Sequence, residues 1–207
     1  MAAVQVSHLP ELIVSRETWD DFKALEALVV TWSSKINLVS KQSVADLSTR
    51  HIADSAQLWP LLQSFQSIAD FGSGGGFPGL VLAICAKYQR PEMAITLVES
   101  DRRKCVFLQT AARELALNVK VISQRIETLP PLDAPAITAR ALASCNQLFG
   151  YAAPHLLPTG SLYLLKGERA DEEIAEARHH WQFSVKKHQS KTHPNAVILE
   201  VGDLNRV

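Results

Sequence analysis

The residues from Ser67 to Gly79, SIADFGSGGGFPG, crowd an acidic group and a run of glycines onto the end of a short apolar stretch, directly ahead of an apolar helical run. An α/β domain builds a cofactor cradle in this way. Glycines recur at Gly72, Gly74, Gly75, Gly76 and Gly79, so the backbone can turn sharply off a strand and meet a ligand with no Cβ between them. Read as Gly74-x-Gly76-x-x-Gly79, the turn satisfies the dinucleotide fingerprint. Glu99 then lies about twenty residues further on, where a ribose-binding acid belongs.

Read as Asp70-x-Gly72-x-Gly74-x-Gly76, the same residues resemble the turn that holds S-adenosylmethionine in doubly wound methyltransferases. Asp70 separates the two readings. A carboxylate at the strand tip repels a pyrophosphate and suits a cofactor carrying a sulfonium and an ammonium group.

Ligands in an open parallel sheet sit outside the carboxyl ends of the strands, so the other strand tips matter next. Glu99 ends a second strand, where its carboxylate can accept both ribose hydroxyls. After a third strand, Ile126 can cover an adenine face and Glu127 or a backbone group can read its edge; a solvated loop carboxylate is the alternative for Glu127. Phe77 either lines the cofactor or staples the following helix, and Pro78 suits a first helical turn. Arg140 ends a fourth strand, where its planar fork can clamp a methionine carboxylate, an RNA phosphate or a guanine O6, or make a surface ion pair. Lys166, ahead of Gly167, is similarly placed, and His51 reads as a structural histidine at a helix interface before a catalytic base.

Missing motifs narrow the chemistry. No Asn-Pro-Pro-aromatic run follows the fourth strand, and Cys145 lacks the preceding Pro expected of a pyrimidine C5 nucleophile. A ring nitrogen remains attractive. N7 of guanine has an in-plane lone pair and no proton, so methyl transfer to it needs orientation and charge placement but no general base. Because the product ring is cationic, Arg140 is better used on a cofactor carboxylate or RNA phosphate than on N7 itself.

The elements that position these groups alternate. Strands are expected at Ile68–Phe71, Ile95–Glu99, Val119–Ile122, Ala136–Ala139 and Ser161–Leu165. Helices are expected at Gly79–Lys87, Arg102–Leu115, Cys145–Ala152 and Glu168–Arg178, with a turn at Pro158-Thr159-Gly160. The sheet is therefore mostly parallel and doubly wound. Trp181–Lys187 and Ala196–Val201 read as paired antiparallel strands at its edge. Ahead of the sheet, Trp19, Phe22, Leu25, Leu28, Val29 and Trp32 mark an amphipathic helix with a capping box at Thr18 and Asp21. A second helix is expected over Val44–Leu58, ending near Pro60. Residues 1–62 thus form a helical extension to a Rossmann-like core over 63–207, together one domain.

With 207 residues, 47% of them hydrophobic, the chain can bury one sizeable core. A formal net charge of zero removes any whole-protein basic signature, so a nucleic-acid partner must be met by a local patch. Cys85, Cys105 and Cys145 are too widely spaced for a zinc or disulfide framework and fit a reducing cytosol. Without an apolar leader or a membrane-length apolar run, the expectation is a soluble cytoplasmic protein.

The whole chain resembles the bacterial RsmG (GidB) family. The resemblance rests on Ile36-Asn37-Leu38-Val39-Ser40, on Arg50-His51-Ile52-Ala53-Asp54-Ser55, on Asp70 through Gly79, on Arg140-Ala141-Leu142-Ala143-Ser144 and on Leu165-Lys166-Gly167. It implies a class I S-adenosylmethionine-dependent methyltransferase acting on N7 of the 530-loop guanine, position 527, of 16S rRNA in the small ribosomal subunit. It implies cofactor contacts at Gly72, Phe77, Ile126, Glu127 and Arg140, alongside Asp70, Gly74 and Glu99; Glu99 stands where the family usually has Asp. Asn37, Arg50 and His51 become candidates for rRNA contact, with Lys166. Lys35, Lys41, Arg50, Lys166, Arg169, Lys186 and Lys187 can line one face as a local phosphate-binding surface, or serve as ordinary solubilising charges. A monomer is expected, since no long apolar stripe is left after packing the sheet. An NAD-dependent oxidoreductase using the same turn, and a non-catalytic ribosome-assembly binding domain, are the competing functions.

Overall fold

The computed structural model describes residues 3–6, 9–40 and 43–207. A seven-stranded sheet runs through it in the order β5-β4-β3-β6-β7-β9-β8. Its strands are β3 (Ser67–Phe71), β4 (Ala94–Glu99), β5 (Val119–Ser123), β6 (Ala134–Arg140), β7 (Leu156–Lys166), β8 (Trp181–Gln189) and β9 (Val197–Arg206). The first five are parallel, and β9 inserts antiparallel between β7 and β8.

The winding starts at β3 and proceeds outward through β4 and β5, then returns to the other side of β3 for β6 and β7. That reversal opens a crevice at the carboxyl ends of β3 and β6. Register places Asp70 opposite Leu97 on one side and Thr138 on the other, so the glycine turn and Arg140 emerge side by side from neighbouring strands.

Alternation along the strands feeds two apolar layers. Ile68, Ile95 and Leu97 face a core shared with helices α1 (Arg16–Ser33), α4 (Gly79–Gln89) and α5 (Arg102–Glu114). Ala69, Phe71, Val98 and Ile137 face the core beneath α6 (Cys145–Ala152) and α7 (Ala170–Ala177). Every residue of α4 from Gly79 to Ala86 is buried. A helix that is apolar all round needs cover on its outer side. The N-terminal extension supplies it: α1 and the short α2 (Asp54–Ala56) both pack on α4.

The structure departs from expectation in four places. An antiparallel hairpin, β1 (Ala3–Val6) with β2 (Leu9–Ser15), precedes the first helix. The cap of α1 is Ser15, whose hydroxyl accepts from the Thr18 N–H at 3.2 Å; Thr18 itself is buried and the proposed Thr18–Asp21 box is absent. The helix expected over Val44–Leu58 is broken into a π-helical segment (Ser48–Ala53), α2 and α3 (Trp59–Leu62). Pro60 lies in the first turn of α3, where a missing N–H costs nothing, instead of ending a helix. Pro158-Thr159-Gly160 is no turn. It is an irregularity inside β7 where the pairing with β6 shifts, and a Cβ at Gly160 would lie 2.9 Å from the Ala134 carbonyl oxygen.

Candidate functional site: a glycine cradle beside a polar cleft

Asp70 is fully buried. Its Oδ1 accepts from the Thr138 hydroxyl at 2.8 Å and its Oδ2 from the Gly79 N–H at 3.3 Å, so the carboxylate ties the start of α4 to two adjacent strands. Both oxygens are turned inward, and Asp70 shapes the turn. Burial pushes its carboxyl up to about 6, against the opposing effect of hydrogen bonds from Ser73, Thr138 and Gly79.

The turn beyond it has positive φ at Gly72, Gly74 and Gly76. The positive φ selects glycine at Gly72, where a Cβ would also fall 2.7 Å from the Cδ1 of the exposed Leu142. Glu99 is nearly buried, and its carboxylate holds the same turn, accepting from the Gly74 N–H at 2.9 Å and the Asp101 N–H at 2.8 Å. Each carboxylate oxygen keeps a further lone pair for a hydroxyl. Ile126 is buried in a short 3₁₀ turn (Ile126–Thr128) after β5, and Glu127 beside it is exposed. Gly72, Gly74, Glu99, Ile126 and Glu127 therefore follow three consecutive strand tips, β3, β4 and β5, as the sequence implied.

Arg140 ends β6 and crosses to the N-terminal extension. Nη1 donates to the Arg50 carbonyl at 2.9 Å and pairs with Asp54 Oδ2 at 3.3 Å, while Nη2 donates to His51 Nδ1. Its guanidinium lies over Phe77, 5.3 Å from the ring centroid, and His51 packs on the same ring at 4.9 Å. Burial, reinforced by the charges of Arg140 and Arg50, lowers the His51 pKa to about 4, so the imidazole is neutral and can accept from Arg140. Phe77 is buried in this stack.

Arg140, Arg50 and His51 line one cleft of about 1010 Å³. Its other walls come from Asp54 and Gln57, from Leu142 and Ala143 after β6, from Lys166 at the end of β7, and from the turn between β8 and β9. Lys166 is no free cation: its ammonium donates to the Ala143 carbonyl and to Glu173, each at 2.7 Å, and Glu173 also accepts from the Cys145 N–H. The pair clamps the loop that carries Leu142. Leu142 both lines the cleft and abuts Gly72, so it stands between the cleft and the cradle.

Asn37 is exposed and borders a smaller hollow of about 450 Å³, apart from Arg50 and His51. Its neighbour Leu38 packs on the glycine turn, with its carbonyl oxygen 3.0 Å from where a Gly75 Cβ would sit. Of the other basic residues, Lys35 and Lys186 are exposed, Arg169 pairs with Glu172, Lys187 pairs with Asp171, and Lys41 lies outside the described residues. Among the described residues, Arg50, Arg140 and Lys166 are the lysines and arginines that line the cleft. Sequence reasoning missed Gln57, Leu142, Glu173, Ser190 and Thr192 as site residues. Leu142 lay inside a motif, whereas the bonds that bring Gln57 and Thr192 to the cleft join residues more than a hundred positions apart.

Sheet order, switch-point crevice and glycine turn together define a class I methyltransferase fold. The solved structures it resembles agree. A TehB-like S-adenosylmethionine-dependent methyltransferase from Corynebacterium glutamicum superposes with a TM-score of 0.56 at 12% identity, over 85% of this chain and 98% of that one. Pyrococcus horikoshii TYW2 in complex with MeSAdo gives 0.57 at 11% identity, over 74% of this chain and 63% of that one. The chain belongs to the GidB family, rRNA small subunit methyltransferase G, which it matches over residues 19–198. Relatives named ribosomal RNA small subunit methyltransferase G include one from Cereibacter sphaeroides, 47% identical over 99% of this chain and the whole of that protein. Another, from Acidiphilium cryptum, is 48% identical over 95% of this chain and 90% of its own length.

The residues present fit S-adenosylmethionine. Beside Gly74 the space is open, a Cβ there meeting only the Gly72 carbonyl oxygen at 3.6 Å, while an acid and an apolar side chain stand at the next two strand tips.

Proposed function

We propose that the chain transfers a methyl group from S-adenosylmethionine to N7 of a guanine in 16S rRNA, acting as a cytoplasmic monomer. The observation that carries this reading is the adjacency of a glycine cradle to a separate polar cleft, with Leu142 as the shared wall. The cofactor supplies an electrophilic methyl on a sulfonium. The chain supplies position and charge. Backbone at Gly72 and Gly74 admits the cofactor closely, Glu99 accepts from its ribose, Ile126 covers its adenine, and Glu127 reads the base edge. Asp70 acts one step back, through the turn it holds.

On the cleft side, Arg140 and Arg50 offer donors to RNA phosphate. Asp54 balances the Arg140 charge where a cationic product ring must form. Phe77 and His51 fix the arginine from below, and Lys166 holds the Leu142 loop. Asn37, beside the glycine turn, borders the path by which RNA reaches it. Because N7 carries no proton, no residue has to act as a base. Among the described residues no helix is long and apolar enough to cross a membrane.

Calorimetry with S-adenosylmethionine tests the cradle, and transfer of labelled methyl to unmodified small subunits or stripped 16S RNA tests the cleft. Glu99→Ala removes the acceptor of the Gly74 N–H and should weaken cofactor binding by about tenfold or more. Unchanged affinity would remove Glu99 from the site. Cofactor binding without transfer to any rRNA substrate would favour a non-catalytic role.

A further inference from the structure

One carboxylate joins the two ends of the chain across the cleft. Asp54 Oδ2 pairs with Arg140, while Oδ1 accepts from the Thr192 hydroxyl at 2.8 Å and from Gln57 Nε2 at 2.8 Å. Gln57 Oε1 in turn accepts from the Lys191 N–H at 2.8 Å and the Ser190 hydroxyl at 3.4 Å. Gln57 and Ser190 are both buried. The turn between β8 and β9 is thereby bonded to the N-terminal extension from which Arg140 takes its partners.

Arg140 has five N–H donors. Three are committed to Arg50, Asp54 and His51, which leaves Nε–H and one Nη2–H without a bond among the described residues. Its side chain is 15% exposed and lines the cleft. Where they point depends on Asp54, and Asp54 is oriented by Thr192. A satisfied buried polar network fixes its members more tightly than separate pairs do.

We propose that Asp54 is a positioning residue that couples Arg140 to the β8–β9 turn, so that Thr192 sets the aim of Arg140 on an rRNA phosphate without touching RNA itself. This rests on the reading of the cleft as the rRNA site. Removing the Thr192 hydroxyl leaves Oδ1 with Gln57 alone. The carboxylate can then rotate, and the guanidinium loses the direction of one of its three anchors.

The test is a double-mutant cycle in the full chain with Thr192→Val, Thr192→Ser and Arg140→Ala. Methyl transfer to small subunits gives KM and kcat, calorimetry gives the cofactor Kd, and equilibrium binding of a 16S rRNA fragment needs no turnover. Thr192→Val should raise the rRNA KM and the fragment Kd by about fivefold to tenfold, mostly outside kcat, with the cofactor Kd within about twofold. Thr192→Ser should restore the parent values. With Ala at position 140, Thr192→Val should change nothing further. A purely local role in the turn predicts the same factor in both backgrounds, and that result overturns the proposal. So does a Thr192→Val variant indistinguishable from the parent, or a cofactor Kd that moves while the rRNA KM does not. A parent that binds the fragment but transfers no methyl sinks the assigned function and leaves the coupling to be judged on Kd. A parent that binds no RNA sinks both.

Discussion

Asp70 carries the sharpest single-residue consequence. Its folded pKa of about 6 lies above the ordinary 3.8, so between those values the folded chain holds a proton that the unfolded chain has released. Stability attributable to Asp70 is therefore present below about pH 4 and lost as the pH rises through 6. His51 acts in the opposite sense. Its pKa is depressed to about 4, and the corresponding stability is present above pH 6.5 and lost as the pH falls toward 4. The two overlap, so the informative quantity is the difference between parent and Asp70→Asn, followed by denaturant melts from pH 4 to 7. That difference should shift against the parent as pH rises, by up to about 3 kcal/mol. A difference flat with pH would mean that Asp70 ionises normally. At Gly72, substitution by Ala meets both a positive φ and Leu142, and the S-adenosylmethionine Kd should rise by about tenfold or more. Unchanged binding would place the cofactor elsewhere.

At the scale of elements, the motif around β3 and α4 was legible because its constraints are local. Strand, sharp turn and buried helix each leave a pattern in the residues that form them. The close packing at Gly79 was not. A Cβ there would lie 2.3 Å from Leu97 Cδ2 and 2.7 Å from Asp70 Oδ2, so Gly79→Ala should destabilise by about 1–3 kcal/mol in chemical denaturation. A neutral effect would show that α4 can slide off the sheet. Strand tips were readable for the same local reason, and Gly72, Glu99, Ile126 and Arg140 all sit where alternation placed them. Side-chain direction was harder. Asp70 and Lys166 were read as facing ligand, and both turn to partners that no pattern announces: Thr138 for one, Glu173 for the other. The helix expected over Val44–Leu58 gives no sign of the π-helical segment within it, which directs the Arg50 carbonyl and His51 at Arg140.

For the whole molecule, a net charge of zero limits how rRNA is bound. With Lys166 held by Glu173, Arg50, Arg140 and exposed Lys35 are taken as the three phosphate contacts, and about 0.7 logarithmic units of salt dependence per phosphate gives a slope near −2 for single-stranded contacts. A measured slope of about −6 would require a basic surface that the described residues do not form. The proposed function therefore relies on the shape of the RNA for recognition, in a cleft walled by the N-terminal extension and the β8–β9 turn. The most direct measurement is base mapping after transfer. Small subunits incubated with the protein and S-adenosylmethionine are reduced, cleaved with aniline at N7-methylguanosine and read by primer extension. Scission at one guanine of the 16S rRNA, absent without protein and much weakened with Arg140→Ala at the same protein concentration, is the predicted result. Methyl incorporation with no such scission, or scission spread over many guanines, would contradict a cleft built to present N7 of a single base.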